Sequence, residues 1–353
     1  MLEKLNYNQV KKIAIIILNW DGKKLLEQFL PTVLTHSLSE YSEVIVADNG
    51  STDDSVDFLK TQFPNVPLIL LDKNYGFAEG YNRAIQQVNS EYVVLLNSDV
   101  ETTENWLQTL IDYMDTHPEV AAVQPKIRNY NDKEKFEYAG AAGGFIDRYG
   151  YPFCRGRILD VLETDTGQYD ETIPVFWATG ACLCIRRSDY LEIGGLDARF
   201  FAHQEEVDLC WRLNARGKSI MCVPSSMVYH VGGASLSTES PRKTYLNFRN
   251  NLLMIYKNVP PSLFFSTFAM RYVLDFLAFV HLLLRGNFKN AKAVIKAHFA
   301  FLKMRKSYKS IRSENLAKAK ITTIPTQYQK SILWKFYVSG KKTYASLFRK
   351  DKN

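Results

Sequence analysis

EYVVLLNSDV, residues 91–100, has five consecutive apolar side chains followed by Asn97, Ser98 and Asp99. Such a run, rich in β-branched and aromatic residues, is typical of a strand buried on both faces of a parallel sheet. Open α/β sheets bind their ligands beyond the carboxyl ends of the strands, where Asp99 would lie. Asp99 is therefore a candidate oxygen ligand for a hard cation. The N-cap of a following helix is an equally good interpretation of this stretch alone.

Strand-like and helix-like segments alternate around this stretch. The predicted strands lie at 13–19, 44–48, 67–72, 92–97 and 121–127, and segments with helical spacing connect most of them. This alternation predicts a doubly wound, mostly parallel α/β sheet with right-handed crossovers. Residues 128–175 have scattered glycines and no clear period, and we interpret them as a loop-rich insertion over the sheet. Strand character returns at 176–187, and a helix is predicted at 203–217, where Gly217 ends it.

The charge is divided unequally along the 353-residue chain, whose net charge is +7. Residues 1–240 hold 21 Lys and Arg against 34 Asp and Glu, a net of −13, whereas residues 241–353 hold 23 against three, a net of +20. Such a division predicts a domain over 1–240 and a separate basic region over 241–353. Nucleic acid and an anionic membrane surface are the candidate partners for a region of this charge.

Residues 259–284 of the basic region are mostly apolar, with Arg271 and Asp275 near the middle. A charge at the centre of a bilayer costs about 2.5–3.5 kcal/mol, so two of them disfavour a spanning helix. Their i, i+4 spacing allows them to pair on one face of a helix. With the Lys- and Arg-rich residues 303–312, the segment predicts helices that lie on a membrane surface. A helical subdomain packed on the first part of the chain is the alternative.

The cysteines and the N-terminus both indicate a cytoplasmic protein. Of the five cysteines, only Cys182 and Cys184 are close in sequence. Neighbouring positions on one face of a strand suit neither a disulfide nor a zinc site, so we interpret all five as thiols of a reducing compartment. The first twelve residues lack the apolar run of a signal peptide. We therefore expect a location in the cytoplasm, peripheral on the inner face of the cell membrane.

Polar residues at other predicted element ends are further candidates for a site. Asp48 enters an Asn-Gly-Ser-Thr turn, where a carboxylate accepts a hydrogen bond from a nucleobase or stabilises the turn itself. The glycines of residues 73–84 would let a ligand approach a helix N-terminus. Glu205 and Glu206 lie at the start of a predicted helix. They are either catalytic carboxylates or acids that interact favourably with the helix dipole. His230, before two glycines, suits a metal or phosphate contact as well as a structural role.

Seven motifs occur in the order and spacing of one enzyme family. They are ILNWDG (17–22), VIVADNGSTDDS (44–55), NYGFAEGYNRA (74–84), LLNSDV (95–100), TGACLCIRR (179–187), HQEEVDLCWRLNARG (203–217) and VYHVGGAS (228–235). Together they resemble the family 2 glycosyltransferases, in the bacterial rhamnosyltransferase-like branch with a GT-A fold. The resemblance covers residues 12–256, and FRNNLLMIYKN at 248–258 continues it. It implies inverting, metal-dependent transfer of a sugar from a nucleoside-diphosphate donor to a hydroxyl of a cell-surface glycan or a lipid-linked acceptor.

The resemblance also implies a donor site and a metal site. Asp48 would bind the donor base, and the whole donor site would consist of Asn19, Asp48, Asn74, Gly76, Asn82, Asn97 and Asp99. Asp99, the last acid of the DXD motif, and His230 would hold a divalent metal, Mg²⁺ or Mn²⁺. Because this motif begins with Asn97 rather than Asp, water and donor phosphate oxygens would complete the coordination.

On the acceptor side, the resemblance implies that Glu206 is the general base. The family usually has Glu-Asp where this chain has Glu205-Glu206, so the side chain is one methylene longer and Glu205 is a rival for the role. The acceptor would be lined by Trp177, Thr179 and Gly180. The Trp177 ring would offer a stacking plane for a sugar.

Two other hypotheses fit the sequence less well. A nucleotidyltransferase would need a glycine-rich signature after the first strand, which ILNWDGKK lacks. The alternative to an enzyme is a protein that binds nucleic acid or an anionic surface through its basic region without catalysis. The apolar run at 259–284 disfavours nucleic acid, so we expect no nucleic-acid partner. The sequence leaves the donor, dTDP-rhamnose or a UDP-hexose, and the acceptor open.

Overall fold

The structure is a computed structural model and describes residues 11–232 and 240–348. Its strands are β1 (Ile13–Asn19), β2 (Ser42–Asp48), β3 (Leu68–Leu70), β4 (Tyr92–Asn97), β5 (Val100–Thr102), β6 (Val120–Asn129), β7 (Gly144–Asp147), β8 (Pro152–Cys154), β9 (Arg157–Ile158), β10 (Val161–Leu162), β11 (Ile173–Pro174), β12 (Cys182–Arg186), β13 (Ser219–His230) and β14 (Gln327–Tyr328). Its α-helices are α1 (Lys23–Ser37), α2 (Ser55–Gln62), α3 (Gly76–Gln86), α4 (Trp106–Thr116), α5 (Arg187–Glu192), α6 (Glu205–Ala215), α7 (Pro241–Asn258), α8 (Pro261–Leu284), α9 (Phe288–Met304), α10 (Lys309–Lys318), α11 (Ile332–Tyr337) and α12 (Tyr344–Phe348). Short 3₁₀ turns lie at Ala198–Phe200 and Arg305–Tyr308.

A large mixed sheet has the strand order β11-β13-β6-β12-β4-β1-β2-β3, with β5 beside β13. Strands β3, β2, β1 and β4 are parallel to one another, as the alternation of strands and helices predicts, whereas β12 runs antiparallel between β4 and β6. The chain passes from β1 to β2 and β3 on one side, and then to β4 on the other. A crevice therefore opens above the carboxyl ends of β1 and β4, which are Asn19 and Asn97.

Strand β4 is buried on both faces, as its apolar run predicts. Val93 and Leu95 belong to the core that includes α3, whereas Tyr92, Val94 and Leu96 belong to the core beneath α1 and α4. Successive side chains of a strand point to opposite faces, so each of these positions needs an apolar residue. The strand leaves the core where its first polar residue appears.

Residues 128–175, which we expected to be loop-rich, contain most of a second sheet. Its strand order is β10-β9-β8-β7-β14, and β14 comes from the C-terminal region, where Gln327 pairs with Ile146. The buried Asp147 accepts a hydrogen bond from the backbone N–H of Ile332 at 3.0 Å, and burial raises its pKa to about 6. The strands of this sheet are two to four residues long, which is too short to show a period in the sequence.

Helix α7 is fastened to α6 by a buried network of charges. Lys257 Nζ lies 2.8 Å from an oxygen of Asp197 and 2.8 Å from an oxygen of Asp208, which also accepts from Arg212 Nε at 2.9 Å. Burial alone would raise the pKa of Asp197, but the Lys257 ammonium overcomes this effect and lowers that pKa to about 2. The division into two domains near residue 240 stays a prediction, and the two parts share buried contacts across it.

Replacing Lys257 by Met is expected to destabilise the whole protein. The variant leaves Asp197 and Asp208 buried with less compensating charge, and breaking a buried ion pair in this way costs about 3–5 kcal/mol. Urea denaturation followed by circular dichroism measures the change in the free energy of unfolding. The control is Lys309→Met, which changes an exposed lysine. Equal stability of the two variants would contradict the role assigned to Lys257.

Candidate active site

Strand β13 brings His230 next to Asp99. The backbone of His230 pairs with that of Val100, and the Val231 N–H donates to the Asp99 carbonyl at 3.1 Å. His230 Nε2 consequently lies 3.0 Å from Asp99 Oδ1 and 3.3 Å from the side-chain nitrogen of Asn97. The three side chains predicted at the metal and diphosphate thus meet at one point, although Asn97 and His230 are far apart in sequence.

Glu137 lies on the other side of the His230 ring and escaped the sequence analysis. Its Oε1 is 3.4 Å from His230 Nδ1, and both side chains are buried. Burial lowers the pKa of His230, but the adjacent carboxylates of Asp99 and Glu137 outweigh this effect and raise that pKa to about 10. For Asp99, burial opposes the hydrogen bond from His230, and the net effect is a lowered pKa. The two carboxylates therefore favour the protonated form of His230.

The side chains at this point could supply a small set of metal ligands. Asp99 contributes a carboxylate oxygen and His230 an imidazole nitrogen, with the Asn97 amide beside them. Among the described residues, no group of three or more His, Cys, Asp and Glu side chains is arranged to hold a metal. A hexacoordinate cation fits only if other molecules supply several of its ligands, which is how Mg²⁺ is commonly bound.

The predicted nucleotide side is a rigid hydrogen-bonded edge at the ends of β1 and β2. Asn19 donates from Nδ2 to Asp48 Oδ1 at 3.0 Å, and the Ser51 N–H donates to Asp48 Oδ2 at 3.0 Å. Asn19 and Asp48 are both buried. Each carboxylate oxygen has two lone pairs, so Asp48 keeps capacity to accept a further N–H.

The turn before α3 is held in place by two asparagines. Asn74 accepts from the Gly76 N–H at 2.8 Å, and Asn49, which the sequence analysis did not single out, donates to the Gly76 carbonyl at 3.1 Å. Gly76 has a φ of +78°, and a Cβ there would lie 2.5 Å from the Phe201 ring. The Phe77 N–H also donates to the Phe201 carbonyl at 2.7 Å. This turn is therefore in contact with the loop that precedes α6.

Asn82 and Trp177 are placed differently from the predictions. The Asn82 oxygen accepts from the Tyr190 hydroxyl at 2.6 Å and from the Leu196 N–H at 3.0 Å, so this side chain ties a loop to α3 instead of facing the crevice. Trp177 is 4% exposed, and its ring packs against Gly144 with its N–H donating to a backbone carbonyl. The prediction of a stacking plane for a sugar is therefore wrong, because the ring is part of the core.

Glu205 and Glu206 occupy the first turn of α6 after a loop in an unusual conformation. Phe201, His203 and Gln204 all have positive φ, between 65° and 72°. The Oε2 atoms of Glu205 and Glu206 are buried and have no hydrogen-bond partner among the described residues. Burial raises the pKa of Glu206 to about 7 and that of Glu205 well above its ordinary value. A carboxylate with these properties is suited to take up a proton near neutral pH.

Gly180 lies close to Glu206, in a segment that is hydrogen-bonded to Asn97. The Asn97 N–H donates to the Ala181 carbonyl at 3.0 Å, and a Cβ on Gly180 would lie 3.9 Å from the Glu206 Cβ. Thr179 is buried, with its N–H donating to a glutamine side chain and its hydroxyl accepting from the Ala181 N–H. Thr179 therefore shapes this segment from inside, while a Cβ on Gly180 would lie 3.0 Å from the Phe77 ring.

Helix α7 clamps the loop that carries the glutamates. Asn250 donates from Nδ2 to the carbonyls of Phe200, Ala202 and His203 at 2.8–3.0 Å, and the Arg249 guanidinium donates to the Phe200 carbonyl at 2.9 Å. Both residues belong to the FRNNLLMIYKN motif at 248–258, whose sequence alone predicts no role for them. Their hydrogen bonds hold backbone conformations that non-glycine residues rarely adopt.

Comparison with known proteins identifies the family. The family model described as Glycosyl transferase family 2 matches residues 13–192, just over half of the chain. The chain belongs to glycosyltransferase family 2. It is therefore a transferase enzyme. The matched residues include β1 to β12 and end before α6.

Curated relatives of this glycosyltransferase include bacterial rhamnosyltransferases. It is 29% identical over 236 residues to the N-acetylglucosaminyl-diphospho-decaprenol L-rhamnosyltransferase of Mycobacterium tuberculosis, a match to 62% of this chain and 75% of that protein. It is also 29% identical to the O-antigen biosynthesis protein RfbC of Myxococcus xanthus, over 64% of this chain but only 18% of that longer protein.

Solved structures with the same fold confirm the predicted GT-A architecture. One is GalNAc-T7 with UDP, GalNAc and Mn²⁺, at a TM-score of 0.55 and 16% identity, covering 71% of this chain and 48% of that one. Another is the mannosyltransferase PcManGT from Pyrobaculum calidifontis with GDP-Man and Mn²⁺, at a TM-score of 0.50 and 14% identity, covering 88% and 86%. At these identities the likeness extends to the fold alone.

Asn250→Asp is expected to lower the turnover of this glycosyltransferase by about 10²-fold. The substitution keeps the side-chain shape but places an acceptor oxygen against three carbonyls, so the loop relaxes and the glutamates shift, and misplacement by about 1 Å has an effect of this size. The control is Asn247→Asp, one turn earlier on α7. Initial rates and circular dichroism are compared for both variants. Unchanged turnover in Asn250→Asp would show that the clamp does not position the glutamates.

Proposed function

We propose that the enzyme transfers a sugar, with inversion at the anomeric carbon, from a nucleoside-diphosphate donor to an acceptor hydroxyl. The observation that carries this proposal is the Glu206 Oε2 atom, which is buried without a hydrogen-bond partner among the described residues. Asp99 and His230, 3.0 Å apart, form a separate polar cluster just after β4 and at the end of β13. In this proposal Glu206 accepts a proton from the acceptor, and Asp99 and His230 bind a cation and the donor diphosphate. The donor nucleotide would lie along Asn19, Asp48, Asn74 and Gly76.

A divalent metal, Mg²⁺ or Mn²⁺, would be held by Asp99 and His230 beside the Asn97 amide. The short distance between the two side chains supports this, and so do the two structural neighbours solved with Mn²⁺. Donor phosphate oxygens and water would supply the other ligands. When bound, the metal would neutralise negative charge that develops on the departing diphosphate.

Glu206 would act as the general base. As the acceptor oxygen forms its bond to the anomeric carbon, the bond from that carbon to the diphosphate oxygen breaks on the opposite face, and the hydroxyl proton passes to the Glu206 carboxylate. General-base catalysis of this kind contributes roughly 10²–10⁴-fold in rate. Glu205 is the rival candidate, and its deeper burial would hold it protonated to a higher pH than Glu206.

The proposed acceptor is a glycan or a lipid-linked glycan, and the proposed donor is dTDP-rhamnose or a UDP-hexose. The acceptor proposal is supported by the Mycobacterium tuberculosis relative, whose name specifies a sugar linked through a diphosphate to decaprenol. The proposed location is the cytoplasm, at the inner face of the cell membrane. All five cysteines are unpaired and buried, in keeping with a reducing compartment.

Glu206→Gln is expected to abolish transfer without unfolding the protein, because Gln cannot accept the proton. The rate constant kcat of the natural enzyme should rise with pH, reach half of its maximum near pH 7, where the Glu206 carboxyl is half deprotonated, and level off above that pH. Steady-state kinetics from about pH 5 to about pH 9, a range that brackets this pKa, measure both effects. Glu205→Gln is the matched control. If Glu205→Gln abolished transfer and Glu206→Gln did not, Glu205 would be the base.

Sugar transfer should require both a divalent metal and Asp99. A screen of dTDP-rhamnose and UDP-hexoses with Mg²⁺ or Mn²⁺, followed by release of nucleoside diphosphate, is expected to give a signal with one donor class that chelation removes. Asp99→Asn should lose that signal, because a neutral amide is a much weaker ligand for a hard cation. Asp112→Asn, at an exposed position on α4, is the control. Release from no donor with either metal would contradict the proposed function.

A further inference from the structure

Helix α8 turns its two ionic side chains toward the protein. Arg271 Nη2 lies 2.8 Å from Asp275 Oδ1, and the two side chains are 2% and 1% exposed. Asp275 also accepts a hydrogen bond from the Tyr151 hydroxyl at 3.1 Å and lies 3.0 Å from His298 Nε2 on α9. These contacts fix which face of α8 packs inward.

The opposite face of α8 is apolar and exposed. Its outward residues recur with helical spacing, and the most exposed of its aromatic rings are Phe265 at 84% and Phe276 at 62%. By length and composition alone, this 24-residue helix could cross a membrane. Soluble proteins rarely leave contiguous apolar surfaces of this kind uncovered, so this face is a binding surface for something apolar.

Helix α9 extends the same surface. Phe268 of α8 stacks on Phe301 of α9 with ring centroids 5.5 Å apart, and Tyr272 lies 5.3 Å from the His298 ring. Helix α9 also exposes the apolar side chains Ile295, Phe299 and Leu302, which follow one another at i, i+4 and i+7 and therefore form one stripe of the helix. We call the combined surface the α8–α9 face, defined by its apolar residues Phe265, Tyr272, Val273, Phe276, Leu277, Phe288, Ile295, Phe299 and Leu302.

Basic side chains, which we call the rim, are concentrated on α9 and in the segments at its two ends. Eight Lys and Arg residues between 285 and 309 are exposed, and within 11–232 and 240–348 none of them forms a salt bridge. They are Arg285, Lys289, Lys292, Lys296, Lys303, Arg305, Lys306 and Lys309. The only acidic residue in 261–309 is Asp275, which is buried. The rim is therefore uniformly positive.

We propose that the α8–α9 face docks on an anionic lipid membrane, with α8 and α9 lying in the plane of the interface. Apolar side chains would enter the acyl boundary while the lysines meet lipid phosphates, the pattern of interfacial helices. A second copy of this chain is a poor occupant, because its rim would bring like charges together. If α8 spanned the membrane, its Arg271–Asp275 pair would lose the contacts of Asp275 with Tyr151 and His298.

This docking deepens the proposed function, since a lipid-linked acceptor would lie at the same surface. Co-sedimentation of the full chain with vesicles tests it without donor or acceptor, so its outcome is independent of whether transfer occurs. The vesicles contain one part phosphatidylglycerol to two parts phosphatidylcholine, or phosphatidylcholine alone. We expect strong binding to the anionic vesicles, weakened by salt. Absence of binding to the anionic vesicles overturns the proposal.

Two sets of variants locate the surface. Phe265→Ser/Phe276→Ser/Phe299→Ser should reduce binding more than tenfold, whereas Tyr41→Ser/Leu70→Ser, which changes exposed apolar residues elsewhere, should not.

Lys292→Gln/Lys296→Gln should weaken binding to anionic vesicles about thirtyfold, from about 1 kcal/mol for each lysine. The matched control is Lys60→Gln/Lys330→Gln, at exposed positions elsewhere. Equal effects of a variant and its control overturn the assignment of the face. Dimerisation of the natural chain that the triple Phe variant removes, or salt-sensitive binding to DNA that exceeds binding to vesicles, overturns the choice of a membrane.

Discussion

A carboxylate that leaves water must find a cation or give up its charge, and helix α6 contains both outcomes. Asp208 is buried with Lys257, Arg212 and Asn258 around it. Two residues earlier, the Glu206 Oε2 atom is buried without a hydrogen-bond partner in the described part of the chain, and burial raises its pKa to about 7. The paired acid anchors α6 to α7, and the unpaired one is left as the proposed base. The two acids differ in their neighbours: cationic and amide side chains surround Asp208, and none of them contacts the Glu206 Oε2 atom.

The features of the fold that could be predicted are those in which sequence neighbours share one environment. The apolar side chains of β1 and β4 are buried, apart from the partly buried Leu18, so the strands are visible as unbroken apolar runs. Parallel strands end at one edge of the sheet, which is why Asp48 and Asp99, each near the end of a run, could be placed beside the same crevice. The seven motifs add a family to that geometry, and the family model confirms it.

The rest depends on contacts between distant residues, which leave no local pattern. Glu137 meets His230 across 93 positions of sequence, from an insertion without periodicity. Asn250 acts through carbonyls of residues about 50 positions earlier. Asn82 and Trp177 were misjudged because a motif names a residue type without its direction: one side chain spans a loop and the other is enclosed in the core.

Both the clamp on the loop before α6 and the last strand of the small sheet come from the C-terminal third of the chain. During synthesis, β1 to β4 and the crevice above them can form while α7 and β14 do not yet exist. Contacts between residues so far apart in sequence form late. A growing chain can therefore form β1 to β4 before the loop that leads into α6 has been held in place. That loop gains its hydrogen bonds to Asn250 only after α7 has been made.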